Sequence, residues 1–331
     1  MFSWTVIATT GERFIDFAPY VASVNDAGIV AFQAALRGGG TGVFTGDGGA
    51  VAEVAGSALL AEVTSHPDLN GAGATSFYAD LPGGGQGVFL VRDRRLQTIA
   101  DTRGSFASIG PLGPTMNDAG TVAFRADRTA GVSGIFAGDR AAVATVADTE
   151  GPWRGFHGLP VIGRDGTVIF RADRTDGVQG IYAGHAGSMR TVAETGGLFE
   201  TLAPFPSVDD DGTVAFAGTL RAGGAGIFTV DEEGNSRIID TDGAFESYRG
   251  ALITSAGAVV RIATPRGGSL GLFAGPDPEA DRILAVGDEL LGSTVAELAS
   301  NPVSVNAAGQ VAIRATLTDG TQLVLRADPV G

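Results

Sequence analysis

The chain contains neither cysteine nor lysine. Without cysteine there can be no disulfide, no thiol nucleophile and no cysteine-ligated zinc. All 22 cationic residues are arginine, which removes Schiff-base chemistry and a phosphate-loop lysine. Basic charge is scarce overall, with a formal net charge of −15. A nucleic-acid partner needs a basic footprint, and an anionic membrane surface needs one too, so neither is expected. No apolar run reaches the length of about 18 residues that a membrane span requires. The opening MFSWTVIATTGERF lacks the basic region and long apolar segment of a signal peptide. The chain would be secreted if such a signal had been removed from it, and cytoplasmic otherwise. Histidine is limited to three residues. No Gly-x-Ser-x-Gly elbow, His-Glu-x-x-His pair or phosphate loop occurs, and no stretch has helical periodicity.

Glycine, by contrast, is abundant at 52 of 331 residues, and it falls at turns rather than in clusters. A polar turn ending in glycine and followed by a short apolar strand recurs seven times. The copies read NDAGIVAF (25–32), NGAGATSF (70–77), NDAGTVAF (117–124), GRDGTVIF (163–170), DDDGTVAF (209–216), TSAGAVVR (254–261) and NAAGQVAI (306–313). Their glycines, Gly28, Gly73, Gly120, Gly166, Gly212, Gly257 and Gly309, are separated by 45, 47, 46, 46, 45 and 52 residues. A period of that size belongs to a solenoid, a propeller or an array. Because the repeat runs from end to end without a linker, 1–331 reads as a single domain despite its length.

The third unit displays the pattern. An extended piece, 110–117, leads into the NDAG turn and the strand TVAFRAD. A glycine-containing loop, the strand GIFAGD and the strand VATVADT follow. Four short strands joined by tight turns make an antiparallel meander, and such units arranged radially are the blades of a propeller. The expected fold is therefore an all-β, seven-bladed β-propeller of four-stranded antiparallel blades. The termini argue for a closed ring. The unit that begins at 301 stops near 328, one strand short, while WTVIATTGERF (4–14) aligns with RTVAETGGLF (190–199), an outer strand and its following loop. Residues 1–16 would complete the blade begun at 301–328, whereas an open solenoid would need caps instead.

The segment PSVDDDGTVAFAGTLRAGGAGIFTVDEEG (206–234) resembles the repeat of TolB-like propellers and, more broadly, WD40-like seven-bladed β-propellers. A nearer likeness is to bacterial tandem-repeat proteins with an Asn-x-x-Gly-x-x-Ala-Phe motif. Residues 25–32 and 117–124 fit that motif fully, and VADT (146–149) and VAET (192–195) are similar to its companion strand. Arg261 and Ile313 depart from it by replacing the phenylalanine. The resemblance implies a propeller from a group often secreted and mostly uncharacterised in activity, and it implies no chemistry.

Site residues are sought where the repeat fails to repeat. In a propeller the strand before the glycine turn is innermost. The loops from outermost strand to next blade, and from second to third strand, then share one face, and ligands usually meet it at the axis. The segment GPWRGFHG (151–158) reads as such a loop and carries Trp153, Arg154 and His157, of which tryptophan and arginine suit a flat ligand. A second apparent loop, 245–249, offers Glu246, Tyr248 and Arg249. His66 lies on an inner strand, and the closing segment adds Arg13 and Asp16. Arg128 and Arg174, in FRADRTAG and FRADRTDG, could grip an anion or pair with a nearby carboxylate. Ligand binding is thus assigned to Arg13, Trp153, Arg154, Glu246, Arg249, Arg128 and Arg174. Catalytic candidates are His66, His157, Asp16 and Tyr248, with the two histidines meeting near the axis.

An acidic residue opens the outer loop in five units, at Asp101, Asp148, Glu194, Asp240 and Asp288. These are weak candidates for a structural cation such as calcium. Their repetition in five units favours instead a turn in which the side chain caps backbone N–H groups. No cofactor is otherwise expected. Two functions remain open. One is a monomeric binding module that holds a small molecule, glycan or protein on the loop face. The other is an enzyme, a lyase, hydrolase or cyclase, with Arg, His and carboxylate groups around an axial pocket. A purely structural repeat is the third.

Overall fold

The computed structural model describes residues 2–241 and 243–330. They form seven antiparallel sheets, one per repeat, set around an axis as a β-propeller. The blades occupy residues 14–55, 62–101, 106–148, 153–194, 199–241 and 245–285, and the seventh combines 289–329 with 2–9. Each runs outward from an inner strand, through the strand after the glycine turn, to an outer strand such as Val143–Asp148. The turn glycines have positive φ, 75° at Gly28 and 84° at Gly120, in the left-handed region that side-chain-bearing residues avoid.

The N-terminal strand closes the ring. Phe2–Thr9 lies antiparallel to Gln322–Pro329, with Phe2 opposite Pro329 and Thr9 opposite Leu323. Thr5 Oγ1 donates to Asp328 at 2.7 Å, and the Thr10 amide donates to the Gln322 carbonyl at 3.0 Å. The isolated bridge Thr10–Phe14 has a counterpart at Thr195–Phe199, as the alignment of the two segments requires. The boundary of the seventh blade is corrected, however. Its inner strand is Ser293–Ala299, before residue 301, while Phe14–Asp16 pairs within the first blade.

The inner strands also begin earlier than expected. In the third blade the inner strand is two pieces, Phe106–Ile109 and Thr115–Met116, both paired with Val122–Arg128. In the fourth and sixth it is nearly continuous, as Trp153–Ile162 and Phe245–Ile253. The segments 151–158 and 245–249 are therefore largely strand rather than loop. The reason is an aromatic residue at the start of the inner strand. Phe14, Phe106, Trp153 and Phe199 each meet two further rings from the second and third strands. The third blade illustrates this, with Phe106 to Phe124 at 5.8 Å, Phe106 to Phe136 at 4.9 Å and Phe124 to Phe136 at 5.8 Å. Each such pair adds roughly 0.5–1.5 kcal/mol beyond burial of its area. Glycine two residues before the third-strand aromatic makes room for the ring: a Cβ on Gly134 would sit 2.9 Å from Phe136. In the sixth blade Arg261 stands in the ring position and makes a buried ion pair with Asp240 at 3.1 Å.

Deleting residues 2–9 strips the seventh blade of its outer strand and uncovers the apolar face of Gln322–Pro329. The expected cost is on the order of 5 kcal/mol or more. A melting experiment checks it, and the peptide 2–10 added in trans should restore part of the loss. Unchanged stability of the truncated chain would refute ring closure by this strand.

Candidate functional site: two basins on the propeller axis

At the axis the inner strands converge from all seven blades, and in four of the repeats the first residue clips one blade to the next. Asn25 Nδ2 donates to the Asn70 carbonyl at 3.0 Å, Asn70 to the Asn117 carbonyl at 3.4 Å, and Asn117 to the Gly163 carbonyl at 3.5 Å. Asn306 Nδ2 donates to the Asn25 carbonyl at 2.8 Å, carrying the chain of clips across the ring closure. Each Oδ1 accepts the amide four residues on, Asn117 from Thr121 at 3.0 Å for example, and so fixes its own turn. Asp209 and Thr254 keep this second contact, at 2.8 and 3.1 Å, but they lack an amide to reach the next blade. Gly163 has no side chain, so the clip series runs 306, 25, 70, 117 and stops.

These turns surround a shallow basin of about 180 Å³ whose rim carries Asp26, Asp118, Arg164 and Asp210. Its charges already serve the ring. Asp26 accepts the Ala307 amide and Asp118 the Gly71 amide, both at 2.8 Å, and Arg164 meets Asp210 at 3.3 Å. Deeper, Asp68 accepts the Met116 amide at 2.7 Å from the next blade. Burial is the largest influence on this carboxyl and pushes its pKa up to about 7.

The opposite face, where the loops gather, has a different pocket. It measures about 140 Å³ and is lined by residues from every blade: Pro19, Tyr20 and Val21, then His66, Leu112, Leu159, Phe205, Arg249 with Leu252 and Ile262, and Ser300–Pro302. Most of this wall is apolar. His66 is only 3% exposed, and burial pulls its pKa down to about 4, so the ring is neutral at physiological pH. Asn301 Nδ2 lies 3.4 Å from His66 Nε2. With the imidazole neutral, Nε2 accepts and Nδ1 carries the proton. Gly113 packs against that ring, since a Cβ there would stand 2.6 Å from it. Arg249 is exposed at the mouth and makes no ion pair or side-chain hydrogen bond among the described residues.

The other anticipated residues lie away from the axis. Trp153 is buried, packed on Tyr182 at 4.5 Å and Phe170 at 5.7 Å, so it is a core aromatic and offers no ligand surface. His157 does not approach His66; its Nε2 lies 3.1 Å from Asp173, which Arg154 also meets at 3.4 Å. Arg13 lies over Phe14 and Phe44 and faces Glu53 at 3.7 Å, while Asp16 caps the Ala18 amide at 2.8 Å. Arg174 pairs with Asp176 and Glu194 at 2.7 and 3.2 Å. Arg128 lies over Phe106 and Phe136 and bonds Thr145 at 2.9 Å. Tyr248 packs on Phe245 at 5.6 Å, and Glu246 is exposed.

The five acidic loop residues serve locally. Asp101 and Asp148 cap amides two residues on, at 2.9 and 3.1 Å. Glu194 takes Arg174 and the Tyr182 hydroxyl, Asp240 takes Arg261, and Asp288 takes Arg282 at 3.0 Å. Among the described residues no group of three or more His, Cys, Asp or Glu side chains is placed to hold a metal ion. Sequence reasoning missed Tyr20, Asn301 and the apolar wall. The signal for the wall was the apolar residue between the two halves of the inner strand in the third, fourth and fifth blades, at Leu112, Leu159 and Phe205.

No family model matches the sequence, and no curated protein does either. Solved structures match by shape. An oligogalacturonate lyase in complex with manganese superposes with a TM-score of 0.63 at 10% identity, over 99% of this chain and 98% of that one. A prolyl endopeptidase matches at 0.59 and 11% identity, over 99% of this chain and 51% of its own. Virginiamycin B lyase from Staphylococcus aureus matches at 0.53 and 11% identity, with both chains covered completely. At such identities the likeness establishes the β-propeller fold alone.

Two predictions follow from the axis. Asn70→Asp keeps the turn contact but removes the donor to the third blade, and should cost about 1–3 kcal/mol in chemical denaturation. Asp209→Asn supplies a donor where the clips stop and removes a carboxylate whose pKa burial raises; it should stabilise the fold by about 1 kcal/mol at neutral pH. The opposite signs check the clip. The second prediction concerns pH. His66 contributes stability above its unfolded pKa of 6.5 that is lost as pH falls toward 4. Asp68 works in reverse: its contribution is present below 3.8 and lost as pH rises through about 7. Melting profiles should therefore show His66→Gln flattening the acid limb and Asp68→Asn raising stability above pH 7, with little gain at pH 4.

Proposed function

We propose that the chain is a binding propeller whose loop-face axial pocket takes a small molecule with an apolar body and one anionic or acceptor group. The observation that carries this reading is Arg249, a cation without a partner among the described residues, at the mouth of a mostly apolar cavity. A pocket of about 140 Å³ suits a single ring or a short branched chain. The apolar group would sit against Leu112, Leu159, Phe205 and Leu252, with its charged end toward Arg249 and the His66 Nδ1 proton available to a ligand oxygen. The repeat motif supports placing the chain among bacterial tandem-repeat propellers with the Asn-x-x-Gly-x-x-Ala-Phe pattern, which adds no chemistry of its own. We propose further that the chain works as one domain and as a monomer.

The enzyme reading rests on one feature, a neutral buried imidazole within the same pocket as an arginine. No carboxylate lines that pocket among the described residues, so a lyase, hydrolase or cyclase would have to work with His66, Tyr20 and Arg249. Binding is the better-supported function.

The test uses benzoate and cyclohexanecarboxylate as probes, followed by calorimetry. Both should bind, and benzyl alcohol should bind more weakly. Arg249→Ala should weaken benzoate about tenfold or more while leaving the melting temperature nearly unchanged, because the side chain is exposed and unpaired. Leu159→Trp should fill the cavity and abolish binding. Equal binding in all three proteins, or none in the unaltered chain, would remove the pocket as the site.

A further inference from the structure

We propose that the crevice between the second and third blades is a separate carboxylate-binding site, with Arg125 and the Tyr78 hydroxyl as its donors. The crevice measures about 400 Å³, and Gln86 and Asp127 also border it. None of its lining residues belongs to the axial pocket, so the two sites stand or fall independently.

The argument starts from two identical pentapeptides. FRADR occurs at 124–128 and again at 170–174. In the fourth blade the arginine closes on the aspartate: Arg171 Nη1 lies 2.8 Å from Asp173 Oδ1, and the arginine is 7% exposed. In the third blade the corresponding pair is open, and the register explains why. Asp173 has Gly155 and Gln179 as its cross-strand neighbours, whereas Asp127 has Ser108 and Ser133. Those two hydroxyls donate to Asp127 Oδ2 at 2.7 Å and Oδ1 at 2.5 Å, one to each oxygen, and so partly satisfy the carboxylate without the arginine. The Arg125 side chain is left with no ion pair and no hydrogen bond among the described residues, though its charge still reaches Asp127 at longer range.

The second donor comes from the facing blade. Tyr78 is 2% exposed, and its hydroxyl has no hydrogen bond of normal geometry among the described residues. Burial, the largest influence, raises its pKa; the nearby backbone and charge of Arg125 pull the other way without prevailing. The hydroxyl therefore stays protonated and can donate. Among the described residues, neither this buried hydroxyl nor the Arg125 guanidinium has a side-chain partner; Tyr78 and Arg125 line one cavity, and a group with two acceptor oxygens satisfies both. A guanidinium fork matches a planar carboxylate. The nearby Asp127 charge disfavours a doubly charged anion, so a singly charged carboxylate is the fitting class.

Sodium acetate is the probe, at constant ionic strength, with backbone amide shifts of residues 108–111 and 125 as the readout. Acetate should shift these signals saturably, and neutral acetamide should not. Arg125→Gln should abolish the saturable response, and Tyr78→Phe should weaken it about tenfold. Arg249→Ala should leave it unchanged. A response that fails to saturate, an equal response to acetamide, persistence in Arg125→Gln, or loss in Arg249→Ala would each overturn the site. Phosphate binding more tightly than acetate would overturn the assignment to a singly charged carboxylate. Should Arg125→Gln fail to fold, Tyr78→Phe, which removes only the hydroxyl, decides the question.

Discussion

Every blade of this molecule has two apolar faces, and each can be buried only against a neighbour. That constraint forces the seven sheets into a ring and leaves no tolerable place for an end. Pairing of Phe2–Thr9 with Gln322–Pro329 removes the end by making one blade from both termini. Cross-strand hydrogen bonds do the closing, and the apolar contacts around Val311, Ile313, Leu323 and Leu325 reward it. Axial clips then tie the seventh, first, second, third and fourth blades together. An asparagine amide does two jobs there that no other side chain combines: its oxygen fixes the turn, and its nitrogen reaches the next blade. Aspartate and threonine manage only the first.

The same constraint separates structure from function along each inner strand. Near the glycine turn the strand must meet its neighbours closely, so its polar groups are consumed. Asp26, Asp118 and Asp210 look like a cation-binding ring, yet each already answers an amide or an arginine. Toward the loop face the strands diverge enough to leave a cavity, and there the contacts stop repeating. His66 and Asp68 show the change within three residues. Asp68 ties one blade to the next, whereas His66 faces the loop-side pocket with Asn301 beside its Nε2. Both are buried, but burial moves their pKa values in opposite directions, so the pair partly cancels in the pH dependence of stability between about 4 and 6.5.

The fold was legible because its determinants are local and periodic. Seven glycine turns count the blades, and the split repeat tells how the ring shuts. The site was less legible because a side chain's exposure depends on strand limits that no short motif marks. Trp153 is the clear case. Read beside Arg154 and two glycines it resembles a loop residue, but it occupies the position of Phe14, Phe106 and Phe199 at the head of an inner strand. The spacing of 17 or 18 residues to the aromatic of the second strand, as in Trp153 to Phe170 and Phe106 to Phe124, carried that information. His66 and Arg249 were identifiable as departures from the repeat. Their meeting at one pocket was not, since it depends on how blades two and six face each other across the axis.

Charge gives the loop face its meaning. In a chain of net charge −15, arginines have carboxylates in ample supply, and most find one or a substitute. Arg171, Arg174, Arg261, Arg282, Arg314 and Arg326 are paired within 3.4 Å, and Arg13 and Arg128 lie over aromatic rings. Leaving a guanidinium without a counter-ion in such a protein requires that nearby carboxylates be occupied or absent. At Arg125 the nearby carboxylate, Asp127, is partly satisfied by the hydroxyls of Ser108 and Ser133. At Arg249 carboxylates are absent, because the pocket wall is apolar. Two different local causes yield the same result, a cation bordering a cavity in an acidic molecule. The surrounding negative field opposes the approach of an anion, so selectivity has to come from short-range geometry rather than from long-range steering.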